Sequence, residues 1–135
     1  MSNLKLESSI PNAEEYCDLR RAAGLSPKAL VAAQKGLPNT LFGVCMRDAG
    51  QLVGMGRIIG DGGCNFEVVD IAVHPDYQRR GLGTRIMQAL VDYLEEHAPE
   101  TAYVSMIADE GAPALYAKFG FEPTAPVSIG MARRY

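Results

Sequence analysis

Apolar and polar positions alternate along the chain with a period that changes several times, and each change marks an element. Leu4 to Ser8 alternates like a short strand, and Pro11-Asn12-Ala13-Glu14-Glu15 reads as a helix start with acids in its first turn. That helix is expected to run to about Ala23 before Gly24 breaks it. Ser26-Pro27 supplies an N-cap followed by proline at the first helical position, so a second helix is expected to reach Lys35. Leu41 to Arg47 and Gln51 to Gly60, joined by Asp48-Ala49-Gly50, predict a hairpin. Phe66 to Val73 is a strand rich in β-branched residues that nevertheless carries two carboxylates, Glu67 and Asp70. Past His74-Pro75 the period becomes helical: Leu82, Ile86, Ala89, Leu90, Tyr93 and Leu94 share one face, until His97-Ala98-Pro99 closes the helix. Thr101 to Ala108 predicts another strand, Ala112 to Phe119 a short helix ended by Gly120, and the tail one or two more strands.

This order predicts an α/β (α+β) fold: a mixed, mostly antiparallel central sheet with helices on both faces, since consecutive hairpins do not fit a purely parallel doubly wound sheet. The 135 residues are expected to form one domain. A net charge of -3 argues against a broad nucleic-acid grip, which needs clustered cations. No stretch of about 18 apolar residues and no apolar leader is present, so the chain is expected to be cytoplasmic, with no membrane partner. Cys17, Cys45 and Cys64 fall in no metal-binding or redox spacing, which predicts free thiols and no metal site.

The chemistry concentrates in Gln78-Arg79-Arg80-Gly81-Leu82-Gly83-Thr84, which leads from the acidic strand into the long helix. A helix start leaves N–H groups unpaired and carries partial positive charge; glycines let the backbone approach a diphosphate, and arginines add charge. The segment lacks the Gly-Lys-Ser/Thr of a Walker loop and the Gly-x-Gly-x-x-Gly spacing of dinucleotide folds. A glycine-rich turn with solvated arginines would give the same composition.

Asp70-Ile71-Ala72-Val73-His74-Pro75-Asp76-Tyr77-Gln78-Arg79-Arg80-Gly81-Leu82-Gly83 resembles the signature of the GNAT superfamily of N-acetyltransferases, and Ala112 to Phe121 resembles that family's second segment. The resemblance implies a sheet splayed between the strands at 66–73 and 101–108. It also implies acetyl-CoA as co-substrate: Gln78, Arg79, Arg80, Gly81, Leu82, Gly83 and Thr84 around its diphosphate, and the edge backbone of Ile71, Ala72 and Val73 along its pantetheine arm. The acceptor it implies is a primary amine of a small molecule, reacting by direct attack in a ternary complex, and relatives with this tail often form homodimers. The sequence departs from the pattern at Asp109, where the family often has asparagine; a carboxylate there could still cap the helix that begins near Ala112 but cannot donate to a coenzyme carbonyl. A coenzyme-binding module without catalysis is the alternative class, and it has no need of an acid and a base.

An alkyl amine of pKa about 10.4 is almost wholly protonated at neutral pH, so transfer to it calls for a base. Glu67 and Asp70 are the candidates, and strand alternation places them on opposite faces, so only one is expected to reach the site. Glu67 is favoured, since several family members carry a catalytic glutamate at its place. Tyr116 has the helical spacing of a core aromatic, but the resemblance assigns it to protonate the departing thiolate and contact the coenzyme. His74 is a weaker candidate base, and Arg57 is expected to pair with a carboxylate or hold an acidic group.

Overall fold

Ala49 and Gly50 take positive φ values of 50° and 89°, the conformation that matches a two-residue hairpin turn to the right-handed twist of its strands. They join β2 (Phe42–Asp48) to β3 (Gln51–Gly60), as the turn residues predict. The computed structural model, which describes residues 3–109 and 112–135, sets these two strands in a five-stranded sheet of order β1-β2-β3-β4-β5. β1 (Leu4–Ser8), β2, β3 and β4 (Asn65–Val73) pair antiparallel in succession. β5 (Tyr103–Ser105) adds parallel to β4, giving the expected mixed sheet.

Helices cover both faces. On one lies α1 (Ala13–Ala22), opened by a reciprocal capping box: the Asn12 side chain accepts the Glu15 N–H at 2.9 Å, and the Glu15 carboxylate accepts the Asn12 N–H at 2.9 Å. Its Tyr16, Cys17 and Leu19 pack on Cys45, Met55 and Ala72 of the sheet. On the other face, α3 (Leu82–His97) buries Ile86, Met87 and Leu90 against Val44, Ile58, Phe66 and Val68. Gly56 permits that approach, because a Cβ there would lie 2.7 Å from Ile86 Cγ2 and 2.9 Å from Ile71 Cδ1.

Four expectations change. The second helix, α2 (Leu30–Gly36), starts beyond Ser26-Pro27, because the Ser26 carbonyl and hydroxyl both accept hydrogen bonds from Arg20 and do not cap a helix. β5 spans only Tyr103–Ser105 rather than 101–108, because beyond Ser105 no strand among the described residues pairs with it. The last helix, α4 (Pro113–Ala117), is shorter than expected, with Gly120 at φ 88° just past it. The tail holds no strand among the described residues: Val127, Ile129 and Met131 alternate as a strand would, but they are exposed, and alternation without a partner makes no ladder.

Candidate active site

The site begins at an irregularity in β4. Val69 pairs with Arg57 and Ala72 with Met55, so a step of two residues on β3 spans three on β4, and Asp70 sits in the bulge at φ 60°. Aspartate is one of the few non-glycine residues that tolerate this left-handed conformation. The extra residue shifts the alternation by one. Phe66, Val68 and Ile71 pack towards α3, whereas Glu67 and Asp70 open on one cleft on the α1 side. The expectation that the two carboxylates occupy opposite faces is thus overturned, because period two holds only while a strand is regular.

Shared orientation does not give the two acids a shared role. Both Asp70 oxygens are occupied: Oδ1 accepts from Arg20 Nη1, and Oδ2 accepts from Arg57 Nε at 2.8 Å and from the Tyr16 hydroxyl at 2.9 Å. The Asp70 side chain is only 6% exposed. The two guanidinium groups also lie over the Tyr16 ring, at 5.9 and 5.6 Å from its centroid. Burial, then the charge of Asp70, pushes the Tyr16 phenol up to about 12, so it stays protonated and donates. Asp70 is therefore the anchor between α1, β3 and β4. Its hydrogen bonds go to α1 and β3 rather than to the loop after its strand.

Glu67 differs. It is half-buried, and its carboxylate has no hydrogen bond or ion pair among the described residues. It lines a cleft of about 710 Å³ with Tyr16, Arg57, Met106, Asp109 and Tyr116. This cleft exists because β4 pairs with β5 only over Asn65–Glu67, so the chain after Ser105 parts from the Val68–Ile71 edge. Among the described residues the edge of β4 beyond Glu67 has no strand neighbour on that side, as the resemblance implies. Burial, then the charge of Asp109, pushes the Tyr116 phenol above its usual 10, keeping it a donor. The Tyr116 hydroxyl makes no hydrogen bond among the described residues, and so is free to donate.

The glycine-rich segment adjoins this cleft. Arg79 and Gly81 adopt φ 64° and 77°, the kind of curled backbone that gathers N–H groups into an anion-binding concavity. Leu82 is buried against Met46 and Val53 and fixes the start of α3, while Arg79, Arg80 and Thr84 are exposed. The first intrahelical bond runs from Arg85 N–H to the Gly81 carbonyl, no side chain caps the helix, and its first turn holds no acid. The N–H groups of Leu82, Gly83 and Thr84 thus suit an anion, and no carboxylate competes for them. The Gln78 side chain donates to the Val73 carbonyl at 3.1 Å, joining loop to strand edge. A Cβ on Gly83 would meet Leu115 Cδ2 at 3.5 Å, which places α4 and Tyr116 beside the helix start. Ala72 differs from Ile71 in that its side chain is buried on the α1 face, so only its backbone can serve a ligand. His74 lies outside the cleft, its Nδ1 accepting the Asp76 N–H.

Sequence reading missed Tyr16 and Arg20. The signal was available: an arginine at i+4 from a tyrosine on the apolar face of α1, buried with it, needs a carboxylate partner.

A splayed parallel strand pair and an open helix start beside one cleft are the architecture of an acyl-coenzyme A-dependent N-acyltransferase. The acetyltransferase (GNAT) family pattern matches residues 12–121, and the chain belongs to that family. It is 29% identical over 112 residues to the uncharacterized N-acetyltransferase ycf52 of Pyropia yezoensis, covering 80% of this chain and 62% of that protein. It is 43% identical over 53 residues to the ribosomal protein bS18-alanine N-acetyltransferase of Escherichia coli, covering 38% and 36%. The chain spans less than two thirds of the length of these curated relatives. Among solved structures, a protein of unknown function, SA2161, from meticillin-resistant Staphylococcus aureus superposes with a TM-score of 0.95 at 51% identity over 98% of this chain and 99% of that one. The Escherichia coli GNAT protein YhbS, solved in complex with CoA, shares the fold with a TM-score of 0.68 at 24% identity, covering 93% and 72%.

Proposed function

We propose that the protein transfers an acetyl group from acetyl-CoA to a primary amine of a small molecule, by direct attack while both are bound. The observation that carries this reading is the placement of unpartnered Glu67 and protonated Tyr116 on one cleft, next to an uncapped helix start. When bound, the thioester supplies the activated acetyl group. Leu82, Gly83 and Thr84 offer N–H groups and Arg79 and Arg80 offer charge to its diphosphate, while the open β4 edge at Ile71 and Val73 offers backbone groups to its arm. Glu67 takes the proton of the amine, directly or through a water, and Tyr116 gives a proton to the departing sulfur. Asp70 orders the wall that Glu67 stands on, and burial together with the charge of Asp109 keeps Tyr116 protonated.

A cleft of about 710 Å³ has the size of a small-ligand site, which supports a small acceptor over a protein chain. The free thiols of Cys17, Cys45 and Cys64 support a reducing, cytoplasmic setting, and the uncovered apolar tail residues Val127, Ile129 and Met131 support a homodimer, which sedimentation would test.

The test is thiol release from acetyl-CoA with a panel of amines, together with coenzyme A binding by calorimetry. Gly83→Asp places a carboxylate at the start of α3, its Cβ in ordinary contact with Leu115 Cδ2 at 3.5 Å. It is expected to weaken coenzyme A by roughly tenfold or more through like charge. Unchanged affinity would remove the diphosphate from this loop.

A further inference from the structure

Charge in the cleft is unevenly divided. Towards α1, the Arg20 and Arg57 guanidinium groups share one carboxylate, Asp70, and Tyr16, protonated to about 12, adds no negative charge. A net positive charge is left over. Lys28 and Arg134, both exposed on the rim of the same cleft, add to it, and neither forms an ion pair among the described residues.

Arg57 is the informative residue. Its side chain is 10% exposed, its Nε donates to Asp70 and its Nη1 to Thr40 Oγ1 at 2.5 Å, yet its Nη2 donates to nothing among the described residues. No buried side-chain nitrogen or oxygen lacks a partner among them, so Nη2 reaches solvent, and the solvent at Arg57 is the cleft. A guanidinium clamped by a carboxylate and a hydroxyl, with its free fork turned into a cavity, is pre-organised to take an anion in a defined direction.

The distance to the base is set by register. Arg57 faces Val69 and Ile59 faces Glu67 across the β3–β4 ladder, so Arg57 and Glu67 are diagonal neighbours about 7–8 Å apart, with Cβ atoms somewhat closer. An ammonium at Glu67 and an anion at Arg57 therefore fit a single small molecule with a few bonds between the two groups.

We infer that the acceptor is an amine bearing an anionic group, a carboxylate or a phosphate, which Arg57 binds with help from Lys28 and Arg134 while the amine faces Glu67. This rests on the acetyl-transfer reading above. Polyamines and other cations are disfavoured, because they would set a second positive charge against Arg57.

The experiment compares paired acceptors: amino acids against their amides, and amino sugar phosphates against the parent amino sugars. The expected result is a kcat/KM higher for the anionic member by roughly tenfold or more, about one charge-assisted hydrogen bond, and the series that shows it identifies carboxylate or phosphate. Arg57→Met is expected to reduce that ratio by about tenfold, and Lys28→Gln with Arg134→Gln by about two- to threefold, with the preference falling as salt rises. Should Arg57→Met not fold, the exposed double variant decides alone. Neutral amines or polyamines that react as well as their anionic partners would overturn the inference, as would a folded Arg57→Met that keeps the ratio. Calorimetry of the same pairs on coenzyme A-saturated protein reads the preference without turnover. Selective binding of the anionic members with no thiol release would leave the anion subsite at Arg57 standing and refute the transfer reading on which its role toward an acceptor rests.

Discussion

The two sides of β4 are built to opposite rules. On its β3 side the strand is laddered from Phe66 to Val73, and the one irregularity, at Asp70, is held by Arg20, Arg57 and Tyr16. On its β5 side it is paired only from Asn65 to Glu67, and the remaining edge opens on a cleft where Glu67 and Tyr116 have no partners among the described residues. Two carboxylates three residues apart in sequence thus fall under different physics. Asp70, saturated with donors, belongs to the scaffold; Glu67, with none, is available for proton transfer. Availability, rather than proximity to the cleft, separates the proposed base from its neighbour.

Breaking the closed side should have the largest effect. Asp70→Ala leaves two guanidinium groups without their buried carboxylate, and is expected to cost about 3–5 kcal/mol in denaturant unfolding. A loss of activity at unchanged stability would instead mark Asp70 as a direct participant and erase the contrast with Glu67.

The open side should respond in rate. Tyr116→Phe keeps the ring and removes the hydroxyl, which has no partner to lose; kcat is expected to fall by about tenfold or more while the melting temperature and coenzyme A affinity hold. Steady-state kinetics on one reacting amine would check it, and wild-type turnover would return Tyr116 to the core.

A smaller, pH-dependent effect tests the closed side at its rim. Arg47 donates to both Glu15 oxygens at 2.9 Å and holds that carboxyl below its usual 4.5. A carboxyl depressed on folding stabilises above its unfolded pKa, and the benefit vanishes as pH falls through the folded value. Glu15→Gln is expected to cost roughly 0.5–1 kcal/mol at pH 7, with the difference from wild type shrinking below pH 4.5. Thermal melts across pH check it: no gap at pH 7 would mean that the pair contributes nothing, and a gap that does not close below pH 4.5 would mean that the loss has another source.

The smallest effect lies in the open cleft. The charge of Asp109 is the second cause of the raised Tyr116 phenol, after burial. Asp109→Asn should move the alkaline limb of the kcat profile to lower pH while leaving it above the usual 10. A limb that stays in place would mean that burial alone keeps the phenol protonated.

Much of this was legible in the chain. The Asp48-Ala49-Gly50 turn, the helical spacing from Leu82 to Leu94 and the Gly81-x-Gly83 helix start are local signals, and the structure has the corresponding elements. Readings that needed a partner fared worse. Ser26 has the form of a cap, yet it serves Arg20, and the tail has the period of a strand, yet no strand lies beside it.

The sequence by itself determined the order of elements, the uncapped cationic start of α3 and the presence of Glu67, Asp70 and Tyr116, because these depend on periodicity and residue type within a few positions. Tertiary structure decided which acid is free. The bulge that turns Glu67 and Asp70 to one side arises only when β4 is registered against β3, and Arg20 reaches Asp70 only when α1 packs on the sheet, fifty residues away in the chain. Local propensity cannot encode such pairings, since a carboxylate is committed or available according to what the fold brings within hydrogen-bond distance of it.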